Sequence, residues 1–255
     1  MTVSKSSRVL LAWRANMTTR SINFLYYAAF LSIGGTAGGW ALTSQLAGSQ
    51  AALSFLYLGV LVVSILLMII IILYRKSGAR IIHLILYNIS MFAALVWFLS
   101  CLILPIFWMN SIDIGRKSGM LLLSLYLYGA NVAKGIQVFN DKWQCVGKKL
   151  MSRYYDRKKE LIDWNGVAKS LKLSVTLYVP GVSERLIPVI YVISTASMFL
   201  GLSFQRAFPV FSVFAWGIPL ILVNSIFMQM IGFGVAQFLK MSALEKEDGI
   251  AIRPI

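Results

Sequence analysis

One histidine, two cysteines and nine carboxylates are all that this chain of 255 residues offers to acid–base, redox or metal chemistry. A zinc site usually draws on several His and Cys ligands, and His83 has no second histidine to work with. A Ser–His pair could use only His83. The nearest thing to a nucleophile turn, Gly201-Leu202-Ser203, sits at the far end of a different apolar run. No Gly-x-Ser-x-Gly stretch, phosphate-binding Gly-x-x-x-x-Gly-Lys loop or Gly-x-Gly-x-x-Gly turn is present. Cys101 lies within an apolar run and Cys145 in a basic segment, which is no disulfide framework. The carboxylates, Asp113 through Asp248, all fall outside the apolar runs, so the buried acids of a proton relay are missing. The sequence therefore predicts no catalytic residue, no metal, no cofactor and no enzymatic role.

What remains is cationic and amide chemistry. Lys and Arg number 24 against nine acids, a formal net charge of +15. The stretch from Lys134 to Arg185 holds eleven of these bases and five acids. Lys148, Lys149, Arg153, Arg157, Lys158, Lys159 and Lys172 are the candidates for meeting an acidic protein or anionic headgroups, each juxtamembrane base contributing about 1 kcal/mol at an anionic leaflet. Nucleic acid would suit the charge, but no recognised nucleic-acid motif accompanies it, and none is expected as a ligand. Four amides inside apolar runs, Asn88, Asn131, Asn224 and Gln229, would either hydrogen-bond between helices or line a polar path.

The elements that position these residues follow from composition. The chain is 58% apolar and 13% charged, where soluble domains have about 45–50% and about 25%. Apolar runs long enough to cross a bilayer predict six spans, at 22–42, 52–73, 81–108, 118–138, 186–204 and 209–239. Pro105 and Pro219 are expected to kink the two longest. The fold class is thus an all-α integral membrane protein of about six transmembrane helices with a small basic helix-plus-strand segment. Four parts follow: residues 1–138 (N-terminal tail and spans one to four), 139–185 (basic loop), 186–239 (the last helical hairpin) and 240–255 (tail).

Lys and Arg fix the orientation, because they accumulate on the cytoplasmic side. The N-terminal tail (Lys5, Arg8, Arg14, Arg20), Arg75, Lys76 and Arg80, the large loop, and Lys240, Lys246 and Arg253 share one side. Only Arg116, Lys117 and Arg206 fall on the other. Both termini are expected in the cytoplasm, most naturally at a bacterial inner membrane.

Two patterns mark the basic loop. Residues 148–164, KKLMSRYYDRKKELIDW, repeat apolar positions at helical spacing, with Asn165-Gly166 expected as the helix stop. Residues 171–179 alternate in a strand pattern, ended by Pro180-Gly181. A lone strand needs a neighbour. Residues 136–146 are the internal candidate; the alternative is another copy or a partner protein, met by Val175 and Leu177 along with the cations. The first span carries Gly34, Gly35, Gly38 and Gly39, two overlapping small-xxx-small pairs that suit close helix packing within the chain or between copies.

These features predict a scaffold or anchor subunit that forms homo-oligomers, rests on anionic inner-leaflet lipid and recruits an acidic cytoplasmic protein. Secretion, conjugation and phage-defence complexes use such parts. The alternative is a pore or facilitator for a small solute or ion, lined by Asn88, Asn131, Asn224 and Gln229.

Overall fold

The computed structural model describes residues 5–205 and 207–255, with the backbone alone for 5–21. The side chains of the basic N-terminal tail therefore lie outside the described residues. The described residues are all-α apart from three two-residue strands. In order come α1 (Lys5–Ala47), α2 (Ser49–Lys76), α3 (Ile81–Cys101), α4 (Ile114–Tyr154), β1 (Tyr155–Asp156), β2 (Leu161–Ile162), α5 (Trp164–Leu171), α6 (Ile187–Ser203), α7 (Pro209–Asp248) and β3 (Arg253–Pro254). Four helical stretches, Ser49–Lys76, Ile81–Cys101, Glu184–Ser203 and Pro209–Asp248, are long and apolar enough to cross a membrane. Many of their large apolar side chains are exposed, among them Tyr57, Met68, Val192 and Phe199. Water would penalise such a surface and lipid would not. The chain is an integral membrane protein.

Helix α7 is the hub. It packs on α3, α4 and α6, while α1 packs on α2 and α3. Its sequence is apolar on all sides, as expected of a helix enclosed by neighbours, and its buried residues run from Ser212 to Glu245. Pro219 is buried inside α7 without ending it. Pro105 acts differently: α3 stops at Cys101 and a 3-10 turn, Leu104–Trp108, follows with Pro105 in its first turn. The expected helix over 81–108 is thus a shorter helix and a cap, because proline removes the donor that would continue the ladder.

Glycines set how closely the helices approach. A Cβ on Gly135 of α4 would sit 2.3 Å from the Gln229 carbonyl oxygen of α7, and one on Gly232 would sit 2.3 Å from that of Val132. The two backbones therefore touch, which only glycine at both positions permits. Gly35 and Gly39 do the same between α1 and its neighbours, against Phe98, Phe55 and the Cys101 carbonyl. Gly34 meets nothing, and Gly38 only the end of Leu102. The pair Gly35/Gly39 is thus used within the chain, and Gly34 is left on the outside. At the hairpin of α1 and α2 a single residue, Gly48, makes the turn at φ +89°, a conformation that side-chain-bearing residues rarely adopt.

Two cores flank the middle of α7. One joins Ile103, Ile106, Met120, Trp216 and Ile221. The other lies at the opposite end and joins Ile81, Ile85, Phe139, Leu150, Ile162, Trp164, Phe233, Met241 and Ile252. The second core fuses the basic segment to the helices. No break marks the expected boundary at 138/139, since α4 runs unbroken through it, and α7 likewise continues past 239.

Replacing Gly135 or Gly232 with alanine is expected to push α4 and α7 apart and cost about 1–3 kcal/mol. Gly34→Ala, into open space, should leave stability unchanged. Tryptophan-fluorescence melting in detergent measures both; equal melting of all three variants would refute the glycine contact.

Candidate functional site

The basic segment folds differently from its periodicity. Helix α4 ends at Tyr154, and the chain turns back through β1 and β2 in antiparallel register, Tyr155 opposite Ile162. Asp156 makes the turn: its side chain accepts from the backbone N–H groups of Lys158 and Lys159, at 3.1 and 3.3 Å. That local bond competes with helix continuation, as aspartate commonly does. Glu160 closes the turn at φ 56°. Asp163 then caps α5, accepting from Gly166 N–H at 3.0 Å. Asn165-Gly166 therefore opens a helix where it was expected to stop one. Gly166 is demanded by the Tyr154 ring, which a Cβ there would approach to 2.5 Å.

The C-terminal tail straps this platform to the helices. Gly249 ends α7 in the left-handed conformation. Ile252, fully buried, accepts from Ile81 N–H and donates its own N–H to Glu245, at 2.9 and 3.0 Å. Strand β3 lies parallel to β2, with Arg253 N–H on the Glu160 carbonyl and Ile255 N–H on that of Ile162. The buried Glu245 carboxylate pairs with Arg80 as well, which gives its charge a partner in a site where an unpaired one would be costly. Asp248 takes Arg157 and the Tyr155 hydroxyl. Burial, and that bond to the carboxylate, raise the Tyr155 phenol above its ordinary value.

The cations singled out from the sequence divide accordingly. Lys148, Lys149, Arg153, Arg157, Lys158, Lys159 and Lys172 are all exposed. Arg157 and Lys159 have acidic partners in Asp248 and Asp156, and Arg153 lies over the Tyr154 ring. Lys148, Lys149, Lys158 and Lys172 have none among the described residues. A polar cleft of about 570 Å³ between Ser152, Arg153, Arg157, Lys158 and Asp163 opens on the same face.

Residues 171–179 keep their alternation, with Leu171 and Leu177 buried and Lys172, Ser174, Thr176 and Tyr178 exposed. They pair with no strand among the described residues. Residues 136–146, the internal neighbour expected, are helical. Side-chain amides take the neighbour's place. Asn131 binds Tyr178 in both directions, accepting its N–H at 3.0 Å and donating to its carbonyl at 2.8 Å. Gln229 accepts the Thr176 N–H at 3.1 Å. A primary amide carries the same donor and acceptor as a peptide, so the two side chains stand in for one rung each of a β-ladder. Lys134 lies 5.4 Å from the Tyr178 ring centroid and adds a cation–π contact. Val175 and Leu177, expected to present an edge to another chain, instead face the chain's own interior.

The remaining amides are placed as follows. Asn224 is fully buried and joins α7 to α3 and α4 through the Val96 carbonyl, Ser100 and Tyr128. Asn88 is exposed on α3. Asn131, Asn224 and Gln229 are thus engaged in holding helices and the extended segment. Sequence reasoning missed Gly135 and Gly232, which bring Asn131 and Gln229 close enough to share that segment. The available signal was Gly232-x-x-x-Ala236, a small-xxx-small pair in the last span. Among the described residues no group of three or more His, Cys, Asp and Glu could hold a metal. No protein-family model, curated protein or solved structure matches the chain.

Asn131→Leu should orphan both Tyr178 backbone groups, at about 1–3 kcal/mol each, and Gln229→Leu the Thr176 N–H alone. Hydrogen exchange is expected to quicken at Tyr178 in the first variant and at Thr176 in the second. Unchanged exchange at both amides would dismiss the amide ladder.

Proposed function

We propose that this chain is a non-enzymatic anchor subunit that crosses the membrane six times, with both termini and the basic platform in the cytoplasm of a bacterial cell. In this reading α1 and α4 span alongside the four more apolar helical stretches. The 21-to-3 division of Lys and Arg supports the orientation. The platform's role is to recruit an acidic cytoplasmic protein to the inner face of the membrane, as the membrane parts of secretion, conjugation and phage-defence systems do.

The observation that carries the reading is that the exposed cations stand on packed and hydrogen-bonded elements. A flexible basic loop would fix topology just as well. Here, Lys148, Lys149 and Arg153 extend from the last turns of a helix that also packs against α7, and Lys158 sits on a hairpin pinned by the tail. A preorganised charged surface loses less entropy on binding than a disordered one. The anionic inner leaflet is the second surface such a face would meet. Association between copies would use the open side of α1, where Gly34 and Ala37 are exposed.

Two measurements test this. Cys145 is exposed and Cys101 buried, so a membrane-impermeant maleimide should label Cys145 only after the cells are permeabilised; labelling in intact cells would reverse the topology. Pull-down from mild detergent should recover an acidic protein with the wild type. The variant carrying Lys148→Glu, Lys149→Glu and Lys158→Glu should lose it by at least about tenfold, since three charge reversals remove more than about 1.4 kcal/mol. Equal recovery by both would end the recruiting role.

A further inference from the structure

A second cavity opens at the end of the helices opposite the platform. It is an apolar groove of about 580 Å³ between the starts of α4 and α7, walled by Leu123, Phe211, Phe214 and Ile218, with Gly119 among its lining residues and Arg116 at its rim. Phe211 and Ile218 are 51% and 41% exposed, so the groove is open to whatever surrounds the helices.

The charges at the rim are out of place by two separate physical rules. Of 24 Lys and Arg, only Arg116, Lys117 and Arg206 follow odd-numbered expected spans in the sequence, the connections that would face the side where basic residues are scarce; Arg206 lies outside the described residues. Arg116 and Lys117 also occupy the first turn of α4, where the helix dipole disfavours cations. Asp113 offsets one of them: its carboxylate accepts the Arg116 backbone N–H, which holds it below the ordinary carboxylate range, and it pairs with Arg116 Nε at 3.0 Å. The Nη groups of Arg116 and the Lys117 ammonium have no partner among the described residues; Lys117 is the neighbour of Arg116 in the chain and does not line the groove, and with Asp113 the two bases leave this turn one positive charge in excess. Gly119 has open space where its side chain would be, which leaves the slot unobstructed.

We infer that this groove is a binding site for one anionic glycerophospholipid, an acyl chain lying along Gly119, Leu123 and Phe214 and the phosphate meeting Arg116, with Lys117 beside it. Arg116 to Leu123 covers about 10 Å of α4, a slot for a chain and too short for another helix. A neutral lipid would fill the groove equally well but leave the rim charge unmatched. The inference rests on α4 and α7 lying in lipid and is independent of what the platform recruits.

Native mass spectrometry of the full-length protein in mild detergent, offered phosphatidylglycerol or phosphatidylcholine of the same chain length, tests it. The wild type should retain phosphatidylglycerol at least about fivefold better, as one added charge contact near a membrane surface implies. Arg116→Gln should abolish the preference, and Gly119→Leu, which fills the slot, should lower retention of both lipids. Equal retention of the two lipids by the wild type overturns the site, as does an unchanged preference in Arg116→Gln or undiminished retention in Gly119→Leu. The wild-type comparison decides even if a variant fails to fold. Failure of the membrane reading itself would show separately, as extraction of the protein by alkaline carbonate without detergent.

Discussion

A peptide group removed from water must find its hydrogen bond within the protein, and beside lipid that requirement tightens to nearly every group. Helices meet it internally. The run 173–179 does not, and the arrangement of α4 and α7 answers it. Asn131 and Gln229 supply side-chain amides to alternate residues on one edge of the run, Tyr178 and Thr176. Those amides serve only if the two helices lie close, and the helices lie close because Gly135 and Gly232 present no side chain at the crossing. A glycine contact, two amides and a strand-like segment form one dependent set. Loss of Asn131 orphans Tyr178 and loss of Gln229 orphans Thr176, while separation of the helices would remove both.

The same economy governs the charged end. The tail after Gly249 contributes little mass, yet it joins α3, α7 and the hairpin through Ile252, Glu245 and β3. The acids in the last turns of α7, Glu245 and Asp248, take up Arg80 and Arg157, while the cations at the end of α4 and at the tip of the hairpin stay exposed. A division arises between cations that stabilise the fold and cations that are free to meet something else. Surface pairs of the Arg157 kind contribute little to stability by themselves. Their effect here is to hold the hairpin in place.

Much of the architecture was legible without coordinates. Apolar runs gave the helices, and the alternation at 171–179 gave the inward side of Leu171 and Leu177, although α5 extends through Leu171 and the non-helical run begins only after Lys172. The interpretation of 148–164 failed for a local reason. Helical periodicity counts apolar positions and ignores side chains that cap: Asp156 and Asp163 each bind backbone N–H groups two or three residues on, and each starts a new element. The partner of the strand pattern was missed for a different reason. Alternation predicts a ladder between backbones, and the groups that fill it are side-chain amides far away in sequence.

Composition and periodicity by themselves determined that the chain is a helical membrane protein, that its bases cluster in a few segments between apolar runs, and that it has few groups suited to catalysis. These are sums and repeats, which depend on neighbours along the chain. Tertiary structure alone decided which glycines touch, which amides bind the extended run and which cations remain unpaired. Each of those depends on the approach of residues tens of positions apart (Asn131 and Tyr178, Arg80 and Glu245, Ile81 and Ile252). Contact at that range is set by packing geometry, which no local pattern encodes.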